Sequence, residues 1–366
     1  MEIIVTKEEL ARGVNTVNKA VPSRTAMSIL ECVLFVVNES DIQLVANDME
    51  LSIETMINGK VKEQGNVAID AKMLTDLVRK LPDEEVTIKT DDANAHIKCG
   101  KLAVDIPCRS GDEFPQIPEV SKGASLAISQ FSLKEIIRQT VFSVSDNESN
   151  KVMTGELFKV KGNRLEVVAL DGHRVAQRKI DLKGEYDDTE CIVPAKPLNE
   201  IIKIMSGSVS EDVEIYFSEN HIVFEFGGTI VTSRLIEGKF FDLTRMLNME
   251  FTTKVTINRK DFLESIDRST LLSNSIDKKP VKVDIWGDNL KWSIKSPKGS
   301  MSEDLSISKD GEDMTIAFNP LLVIDAIKAI DDEEITLHLV NSRTPCQIKD
   351  DLDTYMYLIL PVSYKE

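Results

Sequence analysis

The sequence predicts an α+β protein built from three tandem copies of one domain, each with two amphipathic helices among antiparallel strands. Three observations predict it. A helical segment recurs: "TKEELARGVNTV" from Thr6, "SLKEIIRQTVFS" from Ser132 and "NRKDFLESIDRS" from Asn258, two steps of 126 residues. A second helical pattern recurs too. Leu74, Leu77, Val78 and Leu81 are matched by Leu198, Ile201, Ile202 and Met205, then by Val323, Ala326, Ile327 and Ile330. Between these segments the chain reads as short strands with close turns, which favours antiparallel pairing. Repetition at domain scale marks an architecture that uses symmetry.

The first helix of each copy opens on a capping-box spacing or close to it: Thr6 with Glu9, Ser132 with Glu135, Asn258 with Asp261. In this alignment Leu10, Ile136 and Phe262 share one position, Arg12 falls on Arg138, and Lys134 on Lys260. Strands follow at "VTIKT" from Val86, "AHIKC" from Ala95, "EIYFS" from Glu214, "IVFEF" from Ile222, "EITLHLV" from Glu334 and "YMYLILPV" from Tyr355. Turns are expected at Asn38–Asp41, Gly162-Asn163 and Gly227-Gly228. Boundaries near the Pro/Gly-rich stretch 107–123 and near 247–251 divide the chain into domains 1–122, 123–250 and 251–366. Domains of roughly 120 residues are an ordinary size.

Composition narrows the class. With 366 residues and 42% hydrophobic content, the chain has enough apolar mass for several cores. No apolar run is long enough to span a bilayer, and "MEIIVTKEEL" lacks a basic start before an apolar run. Five scattered cysteines fit reduced thiols, so a cytoplasmic protein is expected. The net charge of −17 argues, taken whole, against a nucleic-acid surface.

The charge is unevenly placed. On a helical wheel Leu74, Leu77, Val78 and Leu81 form one stripe, with Lys72 and Arg79 on the far side; Arg12 and Lys19 lie opposite Leu10, Val14 and Val17. The basic positions repeat as Arg12 with Arg138, Lys72 with Lys196, and Arg79 with Lys203 and Lys328. A solvated helix face explains one such helix; three copies of the same sign point to a cationic surface, with acid in turns such as Asp83–Glu85 and Asp331–Glu334.

Catalytic chemistry has little to stand on. The four histidines have no metal-site spacing, and no phosphate loop, dinucleotide fingerprint or nucleophile elbow occurs, so neither cofactor nor metal is expected. "LDGHRV" at 170–175 offers Asp171 beside His173 but no nucleophile. It reads as a turn kinked at Gly172, or as a recognition surface presenting His173 and Arg174 around an apolar depression.

These residues resemble the bacterial DNA polymerase III beta subunit, the replication sliding clamp, over the whole chain. The markers are "LDGHR" at 170–174, "VPAK" at 193–196, "EGKFFD" at 237–242, "LLSN" at 271–274 and "LILPV" at 358–362, with "SIL" at 28–30 and "RKLP" at 79–82. The resemblance implies a non-catalytic, head-to-tail homodimeric ring around duplex DNA, helices lining the inside and antiparallel sheets outside. It implies processivity for the polymerase catalytic subunit, and a pocket for short motifs of polymerase, clamp loader and repair proteins. Carried onto this chain, that pocket comprises Met153, Gly172, His173, Arg174, Val175, Arg245, Met246, Asn319, Leu322, Pro345, Ile359, Leu360, Pro361 and Val362. The DNA-facing set is Arg12, Arg24, Lys72, Arg79, Arg138, Lys196, Lys203 and Lys328; Leu271 and Leu272 are the candidates for the dimer contact. Phe241 replaces a common proline, the 275–280 loop differs in length, and the ending from Ser363 replaces a short basic one.

Elementary geometry admits such a ring. Twelve helices side by side at ~10 Å make a circle of about 120 Å, roughly 38 Å across between axes, leaving a hole of ~28 Å. A duplex of roughly 20 Å passes, whereas six helices leave no usable hole. Enclosure also reconciles an anionic total with DNA, because topology needs only weak phosphate contacts. Two other readings remain, an enzyme using Asp171 and His173, and a peptide-binding scaffold without DNA.

Overall fold

The computed structural model describes residues 1–117, 120, 122–247, 249–273 and 279–364, without the side chains of Arg245 and Leu247. Among the described residues six helices run nine to eleven residues, two in each repeat along the chain: α1 Lys7–Val17 and α2 Ala71–Lys80, α3 Gln130–Arg138 and α4 Ala195–Ile204, then α6 Arg259–Arg268 and α7 Pro320–Ala329. A short helix, α5, covers Thr244–Leu247. Side-chain oxygens cap the helix starts: Thr6 accepts from Glu9 N at 3.2 Å, Asp70 from Met73 N at 2.7 Å, and Asn258 from Asp261 N at 3.1 Å.

The second helices keep the register expected of them. Ala71, Ala195 and Pro320 open them, so Leu74, Leu198 and Val323 share a position and all three are buried. The first helices require a correction. Ser132 is not the start of α3; Ser129 is, its Oγ accepting from Ser132 N at 3.1 Å. The steps between caps Thr6, Ser129 and Asn258 are therefore 123 and 129 residues, not 126 twice. Leu10 then matches Leu133 and Phe262, Arg12 matches Glu135, and Arg138 matches Asn15. Arg12 and Arg138 do not recur at one position, nor do Lys134 and Lys260. A slip of three residues turns a helix by only about 60°, so the apolar stripe looks alike in both registers.

The chain divides into two compact units, the first of Met1–Ser132 with Glu200–Leu235, the second of Leu133–Asn199 with the chain from Ile236 on. Each unit takes part of the middle repeat because that repeat's strands join neighbouring sheets. In the first unit, Thr229–Arg234 pairs antiparallel with Leu51–Ile57, Val231 opposite Ile53, and the Thr55 and Thr229 hydroxyls meet at 2.8 Å. The result is a thirteen-strand antiparallel order. In the second unit, Arg174–Pro194 pairs with Tyr355–Ile359, Val175 opposite Leu358, within a seven-strand sheet. A separate four-strand sheet runs in spatial order Gly299–Ser306, Asn289–Ser296, Val281–Trp286, Met314–Phe318.

The Gly162-Asn163 turn is absent. One strand, Gly155–Leu170, runs through that point with register shifts on both sides of Gly162, which takes φ 59°. Glycine's freedom there makes a bulge where the sequence signal resembled a hairpin turn. Gly227 and Gly228, at φ 54° and 73°, do form the hairpin.

Several strands have an open side among the described residues, the sheet ends Gly59–Glu63, Ser125–Ser129, Gly155–Leu170, Ser308–Gly311, Met314–Phe318 and Gly299–Ser306 among them. Residues 102–107 pair on one side only, with Asn94–Cys99, before 108–110 switch to the strand Gly65–Asp70. His96 secures this strand, its ring nitrogens lying 2.6 Å from Asp105 and 2.9 Å from Asp91. Gly299–Ser306, at one end of the four-strand sheet, pairs with Asn289–Ser296 alone.

Candidate functional site

The strand Tyr355–Ile359 is buried on both faces. Tyr355, Tyr357 and Ile359 enter the main core of the last repeat with Phe262, Ile266, Trp292 and Ile327. Met356 and Leu358 point the other way, into a separate apolar cluster with Val168, Leu170 and Val175. Met153, Leu157, Phe240 and Leu243 are only partly buried against that cluster, so it has a floor and an accessible rim.

The 170–175 segment is a turn held by its own aspartate. Gly172 takes φ 85° and a Cβ there would meet nothing, so the glycine serves the backbone angle. Asp171 Oδ1 accepts from His173 N at 2.9 Å and Arg174 N at 3.1 Å, and Oδ2 accepts from Arg174 Nε at 2.9 Å. The carboxylate therefore serves the turn and Arg174, while the exposed His173 ring heads no catalytic pair with it.

Arg174 is the residue that ties the site together. Its guanidinium also donates to Asp325 on α7 at 2.6 Å and to the Phe142 carbonyl, and it stacks 5.2 Å from the Phe142 ring. Only 13% of its side chain is exposed. Leu360 N donates to His173 O at 2.9 Å and Val362 N to Ala317 O at 2.9 Å, which fixes the ending of the chain beside the turn. Met246 O accepts from the fully buried Gln347 Nε2 at 2.6 Å.

The structure thus puts Met153 and Val175 in one apolar cluster, with Gly172, His173 and Arg174 in the turn beside it and Leu360 bonded to that turn before Pro361. Met246 bonds Gln347, and Val362 bonds Ala317 of the four-strand sheet. Ile359 belongs instead to the core, 2% exposed, and Leu322 packs on that same core. Asn319 accepts from Leu321 N at 3.1 Å as the cap of α7, and Pro345 leads into the buried Cys346. Arg245 lies in α5, its side chain outside the described residues. Sequence reasoning missed Phe142, Asp325 and Gln347, which hold the site, and Phe240 and Leu243 on its rim. A five-residue strand apolar at every position was the available signal for two-sided burial.

The proposed cations fall into two groups. Lys72, Arg79, Lys196, Lys203 and Lys328 are all exposed, on α2, α4 and α7, and Arg24 is exposed in the loop after α1. Lys72 and Lys196 share one helical position; Arg79, Lys203 and Lys328 share another. Arg79 approaches Asp76 at 4.0 Å and Lys203 pairs with Glu200 at 2.8 Å, exposed pairs of little strength. Arg12 and Arg138 are more deeply engaged. Arg12 donates to Glu9 and to Met56 O, and Arg138 bonds Glu135 at 2.6 Å and Asp331 at 3.0 Å. Leu271 is 71% exposed at the end of the turn Ser269–Leu271, while Leu272 packs partly on the core.

Three family models together match nearly the whole chain: the N-terminal domain of the DNA polymerase III beta subunit at residues 1–118, its central domain at 127–242 and its C-terminal domain at 244–363. The beta sliding clamp of Staphylococcus epidermidis is 32% identical over 374 aligned positions, covering 99% of both chains. Among solved structures, a candidate DNA polymerase III beta subunit of Eubacterium rectale is 51% identical with a TM-score of 0.97, and the DNA polymerase sliding clamp of Bacillus subtilis is 30% identical with a TM-score of 0.96. Both alignments cover 100% of each chain. With three tandem clamp domains, antiparallel sheets and full-length similarity, the chain belongs to the DNA polymerase III beta subunit family, the non-catalytic beta sliding clamps.

Proposed function

We propose that this clamp works as a head-to-tail homodimeric ring that encloses duplex DNA without reading its sequence and tethers the polymerase catalytic subunit to it. The observation that carries this reading is the recurrence of exposed cations at matching positions of α2, α4 and α7, in a chain of net charge −17. An anionic protein that repeats its cations on one helix type has set them apart for a polyanion. Weak contacts of this kind let a ring slide, because enclosure rather than affinity prevents escape.

The open strand 102–107 and the open edge Gly299–Ser306 support closure by a second copy, each offering unpaired backbone groups. Leu271, exposed near α6, is the apolar candidate at that contact, with Leu272 behind it. The division 1–122, 123–250 and 251–366 follows the three repeats, and the work belongs in the cytoplasm. Among the described residues no helix is long and apolar enough to cross a membrane.

The apolar cluster beside the 170–175 turn is the docking site for short motifs of the polymerase, the clamp loader and other clamp-binding proteins. Its partly buried rim of Met153, Phe240 and Leu243 suits apolar side chains, and the exposed His173 supplies a polar group. Calorimetric titration of Leu360→Ala with a polymerase-derived peptide tests the site. Weakened binding with an unchanged dimer is expected; unchanged affinity removes the site from consideration.

A further inference from the structure

Glu156 lies at the start of the strand Gly155–Leu170 and is fully buried, with no hydrogen-bond partner for either carboxylate oxygen among the described residues. It shares the strand's inner face with Phe158 and Val160 and sits opposite Val193, all buried. The turns Val141–Ser143 and Lys151–Thr154 pack on the same strand. Two further buried acceptors nearby in sequence, Gln139 Oε1 and Ser143 Oγ, also lack partners. A carboxylate left thus would carry the full cost of removing a charge from water.

We propose that Glu156 is a proton-held latch: the folded chain carries it as a neutral carboxyl, and loss of that proton loosens the 139–157 segment that supplies the Met153 wall of the apolar site. The one polar side chain that bears on it is Thr140, whose hydroxyl already gives its own proton to Ile136 O at 2.7 Å. Thr140 favours the charged carboxylate, but its hydroxyl is committed to Ile136 O and burial outweighs it. The titratable or charged groups on the elements packed here include exposed Lys151, Lys159 opposite Glu190, the Cys191 thiol, which burial holds at about 12, Arg138 paired with Glu135, and Arg174 paired with Asp171 and Asp325. None of them shifts Glu156, whose pKa burial pushes up to about 8.

The sign follows from which state holds the proton. An unfolded Glu156 releases it near 4.5, the folded one near 8, so the folded form binds an extra proton across that window. Local stability is therefore greatest at the acid end and declines as pH rises toward 8, then levels. The test is hydrogen exchange followed by mass spectrometry on the full-length protein and on Glu156→Gln, which keeps the shape and cannot ionise. The ratio of opening constants, wild type over variant, should rise up to about tenfold per pH unit through 139–157 between pH 5 and 7.5, and stay flat in 1–110. A ratio that does not change with pH overturns the latch. Should the variant not fold, infrared spectra of the wild type decide: a protonated-carboxyl band that persists at pH 7 and fades toward pH 9 supports it, and absence of that band at pH 7 overturns it.

Discussion

Arg174 and Asp325 meet at 2.6 Å although 151 residues of chain separate them, and this pair joins the turn of the middle repeat to α7 of the last. Because the guanidinium also bonds Asp171 and the Phe142 carbonyl, Arg174 is a structural tie beneath the apolar site rather than a free anchor at its surface. Arg174→Ala should therefore lower stability by about 2–3 kcal/mol, by stranding partners that are half-buried or better. Lysine should not restore it, since a single ammonium nitrogen cannot reach the three partners that Nε, Nη1 and Nη2 of the guanidinium fork each bond. Thermal unfolding of the two variants beside Leu360→Ala checks this, the last being expected to unfold close to wild type.

The cations should separate by the company they keep. Replacing Lys72, Arg79, Lys196, Lys203 and Lys328 with alanine should weaken retention on circular DNA and flatten its salt dependence, by about 0.9 in log–log slope for each phosphate no longer neutralised. Arg12→Ala and Arg138→Ala, whose guanidiniums are bound to carboxylates, should mainly cost stability, about 1 kcal/mol each. Retention measured between low and physiological salt distinguishes the two sets.

Helix α3 offers a direct check of its register. Ser129→Ala should cost about 1 kcal/mol, as loss of a cap does, and Ser132→Ala markedly less. Equal losses in thermal unfolding would restore the alignment that places the helix start at Ser132.

His338 is 8% exposed, its ring tilted against that of Phe251 with centroids 4.9 Å apart, and burial with the charges of Lys349 and Lys254 holds its pKa down at about 4. The unfolded chain takes up that proton near 6.5, so between pH 6.5 and 4 acid favours unfolding through this residue. His338→Gln should remove that part of the acid sensitivity. Glu156 pulls the other way above pH 4.5, so each effect is read against its own variant in unfolding curves from pH 4 to 8.

Much of this was legible in the residues. The three repeats, the second helices with their recurring lysines and arginines, the Gly172 turn and most strands came from periodicity and turn chemistry alone. The register of α3 did not, because Leu133, Ile136 and Ile137 supply a stripe that survives a shift of three. The role of Arg174 did not either: an arginine beside a glycine turn looks the same in sequence whether it faces solvent or Asp325. Glu156 was invisible for a related reason, since a lone glutamate before "LFKV" reads as an ordinary exposed residue until the turns that cover it are in place.

Enclosure of DNA is the central claim, and retention on nicked circular against linear duplex tests it most directly, on protein loaded by its own clamp loader and sized by light scattering. A particle of about twice 40.9 kDa that stays on circles and runs off linear ends is the predicted result. A protein that leaves both at one rate, or that is monomeric throughout, would contradict it.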